Sequence, residues 1–480
     1  MPPLTFKQML QEAVEYLESN LRCSKHHVEH TGSNSYLLDF YDYLGEINKG
    51  KNFIQYLLTL IVDSPEKQKV FYPGHLNPMN MSQNVIDTGT AVDAIARFVR
   101  RNREVFSETE YQDIKRALEP VADTYLVKAA NDKKVTNQRL WGLTGLASYS
   151  KTFKEDSLYQ SIAEHSIKQA FTDSTVDGFF RYYPNPENKS VPYDNITTFY
   201  QSRHIAFIQY SLNVLGMSTQ EYEHNLEKSI SALLAMYTYI GVKDLRMETK
   251  RWYWLSEYEV ASHAFDAYAL AHSNNAHAQQ ALSNVLYQIK DHFFNGFLHS
   301  HKGRNFNFQC PIFWTAHLAW LTRIPNIEAL FDTTNELKPF VYRFVGKDIF
   351  SDTNQKRRIL INKGWAERNP TTGIFNNGLS STSLWKLQVP KIPRTYLFSV
   401  REVVNHSWSA LRGGHMLEAV VRLWQFFIES IVMLLPRYCI CYGKVVDFKV
   451  EEEEVKVSVV PGSKYGTLLD STQTVINISL

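Results

Sequence analysis

The sequence predicts a mainly α-helical N-terminal domain, an (α/α) toroid of helical hairpins over residues 1–340, followed by a smaller β-rich domain over 341–480. Two observations predict it. Buried-type apolar segments alternate with amphipathic ones at a recurring interval, and beyond about residue 340 helical periodicity gives way to short β-branched runs.

The chain opens with an amphipathic helix, MPPLTFKQMLQEAVEYLESN, which lacks the charged, apolar and cleavage regions of an export signal. Five segments then share a texture rich in Ala, Gly, Ser and aromatics with polar residues gathered early: 82–99, 136–150, 197–216, 256–273 and 310–323. Their starts lie roughly 50 to 60 residues apart, the length of two helices and their connections. Between them run charged amphipathic segments at 107–131, 155–171, 218–240 and 274–294. Buried inner helices alternating with half-exposed outer ones make a toroid, and the irregular spacing argues against an open α-solenoid.

The C-terminal part holds RILINKGW, IFNNGLSS, TYLFSV, YCICYGKVVDFKV, EVKVSVV and QTVINISL, separated by Gly, Pro and Asn turns. EEEE at 451–454 reads as a solvated turn between two strands. A helix at 414–435 interrupts the strands, with Glu418, Arg422, Gln425 and Glu429 as a polar stripe. Charges every turn exclude a transmembrane span. Packing between domains is the main expectation for this helix, although Trp424, Phe426 and Phe427 could touch a membrane interface.

Composition narrows the function. Basic and acidic residues balance at 51 and 49, so no basic field for nucleic acid exists. Cys23, Cys310, Cys439 and Cys441 lack metal-ligand spacing and read as reduced thiols, which with the missing signal predicts a cytoplasmic protein. An aromatic content of 13% suits either a large core or a protein that grips sugars. Sequons at Asn80, Asn188, Asn195, Asn405 and Asn477 match chance frequency, and HHVEH at 26–30 reads as surface. No phosphate loop, dinucleotide fingerprint, nucleophile elbow or zinc motif occurs, so neither metal nor cofactor is expected.

Inner helices of a toroid begin at one end, where parallel dipoles favour anions, so their polar starts converge on one cavity. The first segment supplies Asn84 and Asp87, and the second Asn137 and Arg139. The third supplies Asn195, Tyr200, Arg203 and His204, the fourth Glu257, Glu259 and His263, and the fifth His317. Tyr200, Arg203 and His204 share one helical face, as do Glu259, His263 and Asp266. Either face alone is compatible with a structural hydrogen-bond cluster; four segments opening alike point to a functional cavity.

These groups fit β-elimination of a 4-linked uronate chain. An amide or cation neutralises the carboxylate, a base takes the acidified C–H proton, and an acid protonates the leaving oxygen. Asn137 or Asn195 with Arg203 would neutralise, His204 would be the base, and Tyr200 base or acid. Hydrolysis would instead need two facing carboxyl groups, for which Asp87, Glu257 and Glu259 are available.

The helical half followed by a β-rich half, with TNQRLWGLTGLASYS and RWYWLSEYEVASHAFDAYALAH in sequence, resembles the (α/α)-toroid carbohydrate-active enzymes, in particular the heparinase II/III-like polysaccharide lyases. That resemblance implies that a helix-start Asn, matched here by Asn137, neutralises the substrate carboxylate. It also implies that Tyr and His, matched by type at Tyr200 and His204, pass the protons. Such families are commonly exported and carry a longer β domain, and this chain departs from both patterns. The expected protein is a bacterial, two-domain enzyme acting on a polysaccharide or oligosaccharide, in degradation or in capsule or exopolysaccharide assembly. The rival from another class is a non-catalytic glycan-binding scaffold.

Overall fold

A computed structural model describes residues 4–23, 28–29, 31–72, 81–182, 196–238, 243, 262–299, 311–353, 358–362, 374–376, 416, 420, 439–440, 443–461 and 474–479. The chain divides into two compact units. One comprises Met1–Asp173, Ser202–Ile230 and Val260–Glu336; the other comprises Ser174–Gln201, Ser231–Glu259 and Leu337–Leu480. The expected boundary at 340 falls beside the start of the last of these segments, at Leu337. The second unit also draws two earlier segments from the helical half of the chain.

The protein is mainly helical, with small antiparallel sheets. The expected inner segments lie on the helices Met81–Arg101, Thr136–Phe153, Thr198–Leu215 and His263–Ala271, and on Pro311–His317 continued by a 3-10 stretch, Leu318–Arg323. The intervening amphipathic segments form Glu108–Pro120, Ser157–Thr172, Gln220–Leu234 and Ala276–His292. Burial separates the two classes. Thr136 through Ser150 are buried on every face, whereas Glu108–Pro120 buries only Ile114 and Leu118. An all-round buried helix needs small residues where it crosses its neighbour, and Gly89 and Gly145 supply them. A Cβ on Gly145 would stand 2.7 Å from the Gly89 carbonyl oxygen, and one on Gly89 would stand 2.6 Å from that of Trp141.

Outer helices start on side-chain caps that satisfy their free N–H groups. Ser107 and Glu110 form a capping box, as do Thr5 and Gln8, and Asp156 and Asn275 cap their own helices. After Pro120, which has no N–H to donate, the backbone slips into a π-turn over Val121–Leu126 before Val127–Asp132.

Within the first unit the beginning of the chain meets its end. The Phe6 N–H donates to Asp332 Oδ1 at 2.7 Å, and Arg323 Nη2 reaches Asp93 Oδ2 at 2.9 Å and Asp39 Oδ2 at 3.3 Å. Asp39 also pairs with Arg97, and Asp93 Oδ1 accepts from Ser148 Oγ and from Tyr210 Oη, each at 2.6 Å. Two aspartates and two arginines thus neutralise one another in the core, with Arg323 stacked 4.0 Å from the Trp320 ring.

In the second unit, five antiparallel strands lie in the order Cys439–Ile440, Ile374–Asn376, Arg358–Asn362, Ile349–Thr353, Tyr342–Val345. Asp177 organises the turn before Ile349 by accepting the N–H groups of Lys347, Asp348 and Ile349 at 2.7 to 2.8 Å. A three-stranded sheet, Gly443–Val450, Glu454–Pro461 and Thr474–Ser479, accounts for three of the expected strands, and Glu451–Glu454 makes the turn between the first two. Of the expected 414–435 helix only Met416 and Val420 are described; both are exposed, and the rest lies outside the described residues, as does the TYLFSV run. Among the described residues, no helix is long and apolar enough to cross a membrane.

Candidate functional site

The first unit contains a small hollow lined by Gly32, Ser33, Tyr36, Ile86, Asp87, Thr90, Trp141, Phe313 and His317. Its volume is about 300 Å³ with the open mouth counted, and the enclosed part has room for about one water, so it takes one oxygen-sized group. Asp87 is anchored by the Gly32 N–H, which donates to its Oδ1 at 2.7 Å. Glycine is required there because a Cβ on residue 32 would fall 2.7 Å from that same oxygen.

Aromatic rings join the hollow to a buried cation. The Arg203 guanidinium is 1% exposed and lies 4.8 Å from the Phe265 ring and 5.9 Å from each of Trp141 and Phe313. His317 packs on the same rings, 4.3 Å from Phe313 and 4.9 Å from Phe265. Thus side chains from four helical segments, all but the first of the expected inner ones, meet around Trp141, and Thr90 ties in the first by accepting from Trp141 Nε1 at 2.7 Å.

Beside this cluster His204 is fully buried. Burial, reinforced by the positive charges of Arg139 and Arg203, pushes its imidazole down to about 3, so it is neutral at physiological pH. Arg139 is buried too and pairs with Asp173 at 3.2 Å, although burial pulls its pKa below the ordinary arginine value. The start of the Thr136–Phe153 helix has no side-chain cap. Thr136 Oγ1, Asn137 Oδ1 and Arg139 Nε all lack a hydrogen-bond partner among the described residues, although the three side chains are at most 4% exposed. Turning the Asn137 amide over would present its NH2 at the same place. Unmatched buried polar atoms cost about 1–3 kcal/mol each, and this helix start gathers three of them.

The other expected site residues fall as follows. Tyr200 belongs to the second unit, where its ring lies 5.6 Å from that of Tyr182 and edge-on to Phe199 at 4.8 Å; its N–H donates to Thr197 Oγ1 at 3.1 Å. His263 opens its helix and contacts Asp266 at 3.5 Å. His317 is the last residue of its helix rather than part of a helix start, and Asp87 lies in the second turn because the helix begins at Met81. Asn84 sits in the first turn of that helix, with its side chain outside the described residues; Asn195, Glu257 and Glu259 lie outside them altogether. Most of the HHVEH motif does as well, and no metal-binding group of His, Cys, Asp or Glu is found among the described residues.

Sequence reasoning missed Tyr36, Trp141, Phe313 and the Gly32–Ser33 turn. The signal available was TGSNSY at 31–36, a Gly-Ser-Asn run followed by aromatic residues, which has none of the length of an inner segment. The sequence matches no protein-family model, and no curated protein is similar to it at a significant level.

Proposed function

We propose that the chain is a glycan-active enzyme that holds a uronate-bearing polysaccharide at the inner helix starts of an (α/α) toroid and cleaves it by β-elimination. The observation that carries this reading is the buried group of Arg139, Arg203 and neutral His204 beside the unmatched atoms of Thr136 and Asn137. The guanidiniums of Arg139 and Arg203, both buried and both acting on the neutral His204, make positive surroundings that suit an anionic ligand group. A sugar carboxylate held there is neutralised, which acidifies the adjacent C–H and stabilises the developing enolate.

The bound anion also acts on His204. It offsets the two arginine charges that depress the imidazole, so the histidine becomes a better base once substrate is present. Tyr200, expected to pass the second proton, belongs to the other unit and is given no role in this site.

A hydrolytic reading rests on a different observation, the placement of Asp87 at a hollow with room for one water. One assay separates the two. Purified protein is incubated with a panel of uronic-acid polymers while absorbance of the unsaturated product and release of reducing ends are both followed. Elimination gives both signals together. Reducing ends without absorbance assign hydrolysis, and neither signal on any polymer overturns both reactions.

A further inference from the structure

We propose that the hollow is a subsite for a single hydroxyl group of the ligand, with Tyr36 as the residue that recognises it. This rests on the glycan reading above but not on the acidity of the sugar.

The inference starts from what surrounds the Tyr36 oxygen. Trp320 Nε1–H donates to it at 2.9 Å. Thr90 lies close enough to lower the phenol's pKa. Thr90 is in turn held by Trp141, whose Nε1–H donates to its oxygen at 2.7 Å. With Trp320 donating to it, the Tyr36 oxygen keeps its own hydrogen to offer, and no hydrogen bond donated by Tyr36 is found among the described residues. Burial raises the phenol's pKa and keeps that hydrogen in place, even with Arg323 opposing.

The surroundings then define the ligand group. A hydroxyl accepts and donates, and the hollow offers Tyr36 O–H to the first function and the Asp87 carboxylate, an acceptor, to the second. Its size admits one oxygen. A sugar carboxylate is disfavoured there by Asp87, which leaves the Arg139 and Arg203 region for the acid. Trp141 and Phe313, also in the wall, offer apolar surface to the C–H edges of a sugar ring.

The test places 3-fluorotyrosine at position 36 alone, which keeps the phenolic O–H, and follows the fluorine resonance while trigalacturonate or, separately, cellotriose is titrated in. Calorimetry of wild type and Tyr36→Phe with the same probes runs in parallel, with unfolding midpoints confirming that each variant is folded. The expected result is that a binding triose moves the resonance and that Tyr36→Phe weakens that triose about 10-fold. If cellotriose alone binds and moves the resonance, the hydroxyl subsite stands and the acidic reading falls. If a triose binds while the resonance stays still and Tyr36→Phe binds within about 2-fold of wild type, the subsite is overturned and the glycan reading stands. A resonance that no triose moves, with no heat from either, overturns the subsite as well.

Discussion

Arg323 and Asp93, 230 residues apart in sequence, are joined by a buried ion pair at 2.9 Å. Both side chains are almost fully buried, 4% and 3% exposed. The pair links the end of the helical unit to one of its first long helices, and Asp39, Arg97, Ser148 and Tyr210 complete the charge and hydrogen-bond balance around it. Removing one partner leaves an uncompensated buried charge. Arg323→Met is therefore expected to cost about 3–5 kcal/mol in urea unfolding. A cost below about 1 kcal/mol would mean that the pair does not hold the unit together.

Asn137 should behave in the opposite way. Its amide oxygen makes no hydrogen bond among the described residues, so Asn137→Leu, similar in volume, removes an unmatched polar atom and loses no bond. The expected outcome is an unfolding midpoint equal to or above that of wild type, together with a loss of about 100-fold in affinity for an acidic oligosaccharide. A variant that is strongly destabilised would show the residue to be structural.

Acid should weaken the fold through His204. Its folded pKa is near 3, below the ordinary 6.5, so the unfolded chain binds the proton more readily between those values. The stability linked to this neutral histidine is fully present above about pH 6.5 and is lost as pH falls toward 3, on the order of 5 kcal/mol in all. Urea unfolding of wild type and His204→Gln at pH 7.5 and pH 4.5 measures it. The cost of the substitution should shrink at the lower pH; equal costs at both would contradict the assignment of a buried neutral imidazole.

The crossing of Gly89 and Gly145 predicts a steric effect. A methyl on residue 145 meets backbone, the Gly89 oxygen at 2.7 Å and its Cα at 3.0 Å, and backbone cannot swing aside as a side chain does. Gly145→Ala should cost about 2–3 kcal/mol despite its gain in helix propensity. Gly45→Ala has open space around it but a φ of 75°, so its smaller cost, about 1 kcal/mol, would come from backbone strain alone.

How much of this was legible in the sequence differs by level. The alternation of helices was, because a helix buried on all sides, such as Thr136–Phe153, must be written in small and apolar residues, while Glu108–Pro120 shows its exposed face in charge. Asn137, Arg139, Arg203 and His204, all four buried, were legible as polar residues within otherwise apolar runs. Their partners were not. Tyr36 and Phe313 come from a short turn-flanked stretch and from the middle of an apolar run, and only packing brings them to Trp141 and His317. The depressed pKa of His204 depends on Arg139, 65 positions away in sequence, a relation that periodicity along one helix does not encode.

The central claim is that the buried arginines and Asn137 hold the acid group of a sugar. Calorimetric titration of uronic-acid oligosaccharides and of their neutral counterparts, against wild type, Asn137→Leu and Arg203→Met, tests it most directly. The account predicts that an acidic oligosaccharide binds, that its neutral counterpart binds at least about 10-fold more weakly, and that both variants lose the difference. Equal binding of acidic and neutral sugars by wild type, or variants that keep the preference, would contradict it.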